Sequence, residues 1–455
     1  MEKVIVSKFG GTSMGDAQAM RSSASIAANN KTRLTVVSAT SGTTNQLLEI
    51  IDSSIKGDIV TAMEIVDKIK LRHLELAAEF RLDDKALTIL NTTIEELRSL
   101  SRGMYYLKES SPKAKDRLQS IGERLSSLIF TKALELELQK RDPNLICKTL
   151  DARDYIETDT NFTKSRPITE RILKKCDPLK INFTQSPEVY YVTQGFIGRN
   201  EFGDTTTLGR GGSDYSASIF GEALGADLIQ IWTDVAGIAT TDPRICDTAK
   251  IIPELSFKEA AEMATFGAKI LHPTTVIPAK RASIPVFVGS TFEPESPGTI
   301  IKESVEEKPL VRSINLRKDQ TLITLANPRM LNAHGYLSNL FQVFSEHDIS
   351  VDAITTSEIS VAVTVHTKEI ESNHKIIGDL EKYGKVTIEN DLSIVSIIGN
   401  KINHTHGLAN KIFDSLGDIN VRMICQGASL HNFCFLVQQE DAPKAVKNLH
   451  ERFIQ

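Results

Sequence analysis

The sequence has little that would tie a chain to a membrane, to nucleic acid or to an oxidising compartment. No apolar run approaches the ~20 residues that span a bilayer. The first residues lead directly into strand-like sequence, with no basic segment followed by an apolar stretch, so no secretory leader is expected. The formal net charge of -5 leaves no overall basic footprint, which argues against nucleic acid as a partner. The five cysteines, Cys147, Cys176, Cys246, Cys425 and Cys434, are scattered, and none stands in a CxxC spacing. That pattern gives no case for disulfides or zinc. It fits a reducing cytoplasm, where each thiol acts as a small apolar side chain.

What is present is the composition of a globular protein, 41% hydrophobic and 24% charged over 455 residues. A chain this long exceeds one ordinary core, so two or three domains are expected. Up to about residue 300, apolar runs rich in β-branched residues alternate with helical patterns. Strands are predicted at 4–8, 34–39, 145–151, 189–197, 228–233 and 284–289, and helices at 61–80, 85–102 and 113–139. Such alternation reads as a parallel sheet with helices on both faces. Ligands bind such sheets beyond the carboxyl ends of the strands. Lys8, Ser38, Gln194 and Thr233 all lie near predicted strand ends, which points to one shared site.

The sharpest candidate is Lys8-Phe9-Gly10-Gly11-Thr12-Ser13, a strand end, two glycines and a helix start. The glycines allow close backbone approach and positive φ. Ser13 is expected to cap the helix, with Asp16 as a capping-box partner. Backbone N–H groups there attract anions and Lys8 adds a full charge, so the turn suits a phosphate, although packing alone also produces such turns. Residues 205–215 (Thr205 to Tyr215) form a second candidate, dense in hydroxyls and glycines, that opens a helix. Its glycines supply an amide nest, Arg210 suits bidentate grip of a carboxylate, and Asp214 is placed to orient a lysine. A third is Trp232-Thr233-Asp234 with Asp242-Pro243-Arg244, a turn suited to a nucleotide or a plain surface turn. In the fourth, Gly267-Ala268-Lys269 with His272-Pro273, Lys269 alone reads as a solvated helix lysine and His272 as structural. Ser41-Gly42-Thr43-Thr44-Asn45 offers donors for a small polar substrate or a simple cap. Glu123 reads as a solvated helix glutamate except that Gly122 beside it permits close approach. Gathered on one sheet, these anion-binding turns suggest phosphoryl transfer.

A boundary rich in proline and charge falls at 293–309, and beyond it an internal repeat appears. Gly335-Tyr336-Leu337…Phe341 parallels Gly407-Leu408-Ala409…Phe413, and Asp348-Ile349-Ser350-Val351 parallels Asp418-Ile419-Asn420-Val421. Each copy reads strand, loop, helix, strand, strand, helix, so two paired small α+β domains are expected.

Taken together, Lys8-Phe9-Gly10-Gly11-Thr12-Ser13, Gly209-Arg210-Gly211-Gly212-Ser213-Asp214, Trp232-Thr233-Asp234 with Thr241-Asp242-Pro243-Arg244, and 262–269 with His272-Pro273 resemble the aspartate kinase family. The motifs stand in family order over essentially the whole chain, and the repeat resembles paired ACT domains. The likeness is nearest to the monofunctional, lysine-inhibited type, so no fused homoserine dehydrogenase is expected after the repeat. The resemblance implies an amino-acid kinase fold, α/β with a parallel-rich sheet covered on both faces, over residues 1–293. A linker at 294–309 and ferredoxin-like ACT units at 310–391 and 392–455 would follow.

The implied reaction moves a phosphoryl group from ATP to the β-carboxylate of L-aspartate, giving 4-phospho-L-aspartate on the way to lysine, threonine, methionine and diaminopimelate. By motif position Lys8 and Asp214 are catalytic, and Thr44, Glu123, Arg210 and Ser213 hold aspartate, Glu123 at its ammonium and Arg210 at its α-carboxylate. Lys8, Gly10, Gly11, Thr233, Asp234, Arg244 and Lys269 bind ATP, with Mg2+ carried on its phosphates. Met330, Ser350, Val351, Asp352, Thr356, Ser357 and Glu358 match the lysine-sensitive inhibitor pattern, with Asp352 facing the lysine ammonium. Pairing of ACT units across chains implies a homodimer or a dimer of dimers. The chain departs from the family pattern at Ala239, where a tyrosine is common, and at Asn332 and Ala333, where His and Ser are common. Two alternatives stay open: another amino-acid kinase of the same fold, and a non-catalytic amino-acid sensor.

Overall fold

The computed structural model describes residues 3–267, 273–306, 309–331 and 333–454. Backbone contacts divide the chain into two compact units. In their described parts, the first takes Met1–Ile238, Pro253–Phe257 and Ile270–Val305, and the second Ala239–Ile252, Lys258–Lys269 and Glu306–Gln455.

The strands of the first unit are β1 (Ile5–Phe9), β2 (Leu34–Val37), β3 (Ile146–Leu150), β4 (Glu157–Thr158), β5 (Val189–Gln194), β6 (Ile197–Asn200), β7 (Thr205–Thr207), β8 (Leu228–Thr233), β9 (Glu254–Ser256), β10 (Val286–Ser290) and β11 (Thr299–Lys302). Eight form the main sheet, in the order β3-β5-β2-β1-β8-β10-β11-β9. Its core from β3 to β10 is parallel, and β11 turns antiparallel to β10. Parallel pairing aligns strand ends: Lys8 stands level with Val36 and Ile231, and Val37 with Gln194. The carboxyl ends of β5, β2, β1 and β8 therefore share one edge, as the strand-end residues imply. One face of the sheet buries Phe9, Val37, Val192 and Trp232 against Ala17–Asn29, Thr43–Ile55, Ile59–Glu79, Asp84–Leu107 and Ile121–Gln139. Helix Gly212–Leu224 packs on the other.

Two predicted elements divide. The strand expected at 189–197 stops at Gln194, because Phe196 takes a left-handed φ of 70° and redirects the chain into β6. There it joins a small sheet, β4-β6-β7. The helix expected at 113–139 breaks at Ser120 into Pro112–Gln119 and Ile121–Gln139, which places Glu123 in a fresh first turn.

The second unit carries β12 (Val311–Ala326), β13 (Ala353–Thr356), β14 (Ser360–His366), β15 (Lys385–Gly399), β16 (Met423–Cys425) and β17 (Asn432–Gln438), an antiparallel sheet in the order β13-β14-β12-β15-β17-β16. The repeat is visible in space. Gly335 and Gly407 each take a left-handed φ (78° and 71°) and cap helices Tyr336–Glu346 and Leu408–Leu416. Two apolar cores lie under the sheet, one around Leu340, Phe344 and Val363, the other around Ile412, Phe433 and Leu449. The long strands serve both cores. Ile323 and Leu325 of β12 belong to the first, while Val311 and Ile314, earlier on the same strand, belong to the second. Each copy is thus a ferredoxin-like βαββαβ unit, and the fourth strand of the second copy precedes the first copy in sequence.

Candidate active site

The site grows from the carboxyl end of β1. Neighbouring side chains on a strand face opposite sides. Phe9 turns into the core and lies nearly parallel to Trp232, their rings 6.3 Å apart. Lys8 is left on the other face, almost wholly buried, with Nζ 2.6 Å from Asp214 Oδ1. Asp214 stands in the first turn of Gly212–Leu224, whose cap residue Gly211 has φ 73°. A buried ammonium, its carboxylate partner and the N–H-rich start of a helix therefore meet at one point, an arrangement that favours an anionic ligand.

The two glycines after Lys8 act through space rather than through positive φ. Gly11 has φ -60°, and Gly10 is absent from the positive-φ glycines. A Cβ on Gly10 would lie 3.3 Å from Lys8 Nζ, and one on Gly11 3.4 Å from the Ala39 carbonyl oxygen. Ser13 does not cap the helix. Thr12–Met14 forms a separate short turn, and Asp16 caps Ala17–Asn29 by accepting from the Ala19 N–H at 2.8 Å. The Ser13 hydroxyl is buried 2.7 Å from that of Thr291.

Glu123 is not a solvated helix residue. It is buried, and its Oε1 accepts from the Ala39 N–H at 3.1 Å. Loss of hydration outweighs the bonds from the Ala39 N–H and its own backbone N–H and lifts its pKa to about 8. Gly122 explains the approach, since a Cβ there would come within 2.7 Å of Ala39 Cβ. Two residues that the sequence did not single out brace the same loop. Arg72 donates to the carbonyls of Ser41 and Gly15. His73 donates from Nδ1 to the Ile69 carbonyl at 2.7 Å, which leaves Nε2 to accept from the Thr40 hydroxyl at 3.3 Å. Burial pushes the His73 pKa down to about 4, so the ring is neutral. Both stand in an ordinary amphipathic helix pattern, and no local signal marks them.

The remaining candidates divide. Thr44 and Arg210 are exposed, and Ser213 is half-buried against Gly195 at the end of β5. The Thr233 hydroxyl donates to Asp234 Oδ1 at 3.0 Å. Gln194 is occupied structurally, since its amide bonds the Ser127 hydroxyl and the Ala152 N–H at 2.8 Å each. Arg244 belongs to the second unit, where it is exposed and bonds Asp242 bidentately at 3.0 and 2.7 Å. Lys269, His272 and Asn332 lie outside the described residues. Of the inhibitor candidates, Met330 and Val351 pack on the first apolar core, and Thr356, Ser357 and Glu358 are exposed. The Ser350 N–H donates to Glu369. Asp352 Oδ1 lies 2.7 Å from Arg317, while its buried Oδ2 has no hydrogen-bond partner among the described residues.

Comparison with known proteins agrees with this architecture. The model of the amino acid kinase family matches residues 3–290, and that of the ACT domain matches 323–377 and 395–453, which sets the class as an amino acid kinase joined to ACT units. Lysine-sensitive aspartokinase 3 of Escherichia coli (strain K12) is 40% identical over 467 residues, covering 100% of both chains. Chloroplastic aspartokinase 1 of Arabidopsis thaliana is 35% identical, over 99% of this chain and 80% of the relative. The chain belongs to the aspartokinase family. Its fold matches the crystal structure of E. coli aspartokinase III in complex with aspartate and ADP (R-state) with a TM-score of 0.87, at 39% identity and full coverage of both chains. The complex of that enzyme with lysine and aspartate (T-state) matches at 0.82, also at 39% identity, over 99% of this chain and 100% of that one. Among the described residues, no helix is long and apolar enough to cross a membrane.

Proposed function

We propose that the chain transfers the γ-phosphoryl group of ATP to the β-carboxylate of L-aspartate, giving ADP and 4-phospho-L-aspartate, and that L-lysine inhibits it. The observation that carries the reading is the buried Lys8–Asp214 pair at 2.6 Å beside a helix start. Phosphoryl transfer asks a protein for positioning and charge neutralisation. Lys8 meets the charge on the phosphoryl group in flight, Asp214 holds the Lys8 ammonium in place, and Gly10 and Gly11 line the path. An ionised β-carboxylate needs no general base. Its oxygen forms the new P–O bond as the bond to the bridging oxygen of ADP breaks.

Recognition of aspartate follows from charge. Glu123, protonated below about pH 8 before substrate binds, ionises against the substrate ammonium. Arg210, exposed on its loop, takes the α-carboxylate, with Thr44 and Ser213 as hydroxyl donors. The β-carboxylate is then left toward ATP. Thr233 and Asp234 contact the nucleotide, to which the sequence motifs add Arg244 and Lys269. Mg2+ arrives on the ATP phosphates and asks for few protein carboxylates. Residues 1–293 form the catalytic part, and the linker at 294–309 leads into ACT units at 310–391 and 392–455, the second completed by the 311–317 part of β12. L-lysine binds the first ACT copy, where Asp352 Oδ2, without a hydrogen-bond partner among the described residues, faces its ammonium. ACT units pair between copies, as a homodimer or a dimer of dimers, in the cytoplasm.

ADP release with MgATP and a panel of amino acids tests the reading. Release that needs L-aspartate and falls on titration with L-lysine is the expected result. Release with L-glutamate instead selects another amino-acid kinase of this fold, and no release with any acceptor selects the sensor reading.

A further inference from the structure

Asp116 is a carboxylate without a visible reason in the sequence, where it stands in a run of charged residues, Lys113-Ala114-Lys115-Asp116-Arg117. In the fold it is fully buried on helix Pro112–Gln119. No cation pairs with it among the described residues. Four hydrogen bonds satisfy it instead: the Thr163 N–H reaches Oδ1 and Oδ2 at 3.0 and 2.9 Å, the Thr207 N–H reaches Oδ2 at 2.9 Å, and the Thr207 hydroxyl reaches Oδ1 at 2.8 Å. A buried carboxylate held only by neutral donors is costly, and desolvation lifts its pKa above the ordinary value. A second cost stands beside it. Thr163 has φ 70°, a conformation that β-branched residues rarely adopt. Costs of this kind persist where the geometry is used.

The elements that Asp116 joins say what that use is. Thr207 ends β7, and three residues later comes Arg210. The helix of Asp116 also grips the start of that segment, with Lys113 Nζ 2.6 Å from Asp204 Oδ1. On the other side, only Ser120 separates this helix from the one whose first turn carries Glu123. Thr163 lies against the same loop, its carbonyl 3.3 Å from where a Cβ on Gly209 would stand.

We propose that Asp116 is a positioning residue for the amino-acid substrate, a strut that fixes the Arg210 loop relative to the Glu123 helix. It thereby sets the spacing at which an α-carboxylate and an α-ammonium are read together. The inference rests on the substrate roles proposed for Arg210 and Glu123. Asp116 bonds only Thr163 and Thr207 among the described residues and has no proposed role toward ATP, so its loss is expected to separate the two substrates kinetically.

The test measures KM for L-aspartate, KM for ATP and kcat in full-length Asp116→Ala, Thr207→Val and Arg210→Ala. Misplacing an orienting group weakens binding of what it orients, so Asp116→Ala is expected to raise KM for aspartate about tenfold or more, with KM for ATP within about twofold. Thr207→Val, which removes one of the four bonds, is expected to raise KM for aspartate about two- to threefold. Should Asp116→Ala fail to fold, Thr207→Val carries the test. An unchanged KM for aspartate in the folded variant, or equal changes for both substrates, overturns the proposal. Arg210→Ala reads the underlying assignment separately. A normal KM for aspartate there contradicts the role of Arg210, whereas a raised one beside normal values in Asp116→Ala and Thr207→Val overturns the strut alone.

Discussion

Arg317 lies 2.7 Å from Asp352 Oδ1, and the same guanidinium donates to the Thr265 carbonyl at 3.3 Å. The carboxylate read from the sequence as the partner of a lysine ammonium is thus already held by a cation of the chain itself. Burial raises the Asp352 pKa and Arg317 opposes that rise. An incoming ammonium competes with this guanidinium. Arg317→Ala is expected to bind L-lysine about three- to tenfold more tightly, since a buried carboxylate left without its partner favours any new cation. Asp352→Asn is expected to lose inhibition while basal turnover persists. Calorimetric titration with L-lysine checks the first, and unchanged or weaker binding in Arg317→Ala contradicts it.

Lys8 and Asp214 form the other pair on which the account depends. Removal of one preorganised charge from a phosphoryl-transfer site lowers turnover by about 10²–10³-fold. Lys8→Ala is expected in that range with the fold retained. Asp214→Asn, which keeps the shape but loses the charge holding Lys8, is expected to lower kcat with a smaller change in KM for aspartate. Steady-state kinetics beside a circular dichroism melt decide, and near-normal kcat in Lys8→Ala removes it from the mechanism.

Glu123 gives a pH dependence whose sign is fixed. In the folded chain it keeps its proton up to about pH 8, whereas an unfolded glutamate releases it near 4.5. Between those values the unfolded chain binds fewer protons, so this group's contribution to stability falls as pH rises through the window. In the proposed site, binding of aspartate runs the other way, because the ammonium assigned to Glu123 needs an ionised partner. Thus kcat/KM for aspartate is expected to rise up to about tenfold per pH unit below about 8 and then level. Glu123→Gln should flatten that limb and raise KM for aspartate. A flat wild-type profile between about pH 6 and 8 contradicts this.

Gly122→Ala separates two effects of opposite sign. Within a helix alanine is normally favoured over glycine, by up to about 1 kcal/mol in the interior and less in a first turn such as that of Gly122. Here a Cβ would stand 2.7 Å from Ala39 Cβ and 3.3 Å from Leu47 Cδ1. Overpacking of that kind costs about 1–3 kcal/mol, and it exceeds the helical gain. The variant is expected to be less stable by about 1 kcal/mol or more in chemical denaturation, with a raised KM for aspartate. A stabilised variant contradicts the tight approach.

Much of this is legible in the sequence. β1, β2, β5 and β8 stand where β-branched runs predict, and their shared edge follows from the parallel rule. The Lys8 turn and the 209–214 loop carried residue types that their chemistry requires, and the two meet. What was not legible has a common cause in tertiary contacts. Glu123 and Asp116 sit in sequence patterns of solvated helices, and only the packing of another element over each buries it. Ser13 has no capping role because it falls inside the separate turn Thr12–Met14 and the helix starts only at Ala17, where Asp16 is the cap. Gln194 reached the strand edge as expected, but neighbouring backbone and hydroxyl groups had already taken its amide. The fourth strand of the second ACT copy could not be read from the repeat, since it lies before the first copy in the chain.

In the proposed reaction, phosphate passes to the β-carboxylate of aspartate. Hydroxylamine intercepts an acyl phosphate as a hydroxamate, and mass spectrometry with NMR locates it on one carboxyl group. The full-length protein with MgATP, L-aspartate and hydroxylamine is predicted to yield the β-hydroxamate of aspartate, and none without ATP. An α-hydroxamate, or product with L-glutamate and none with L-aspartate, would contradict the account.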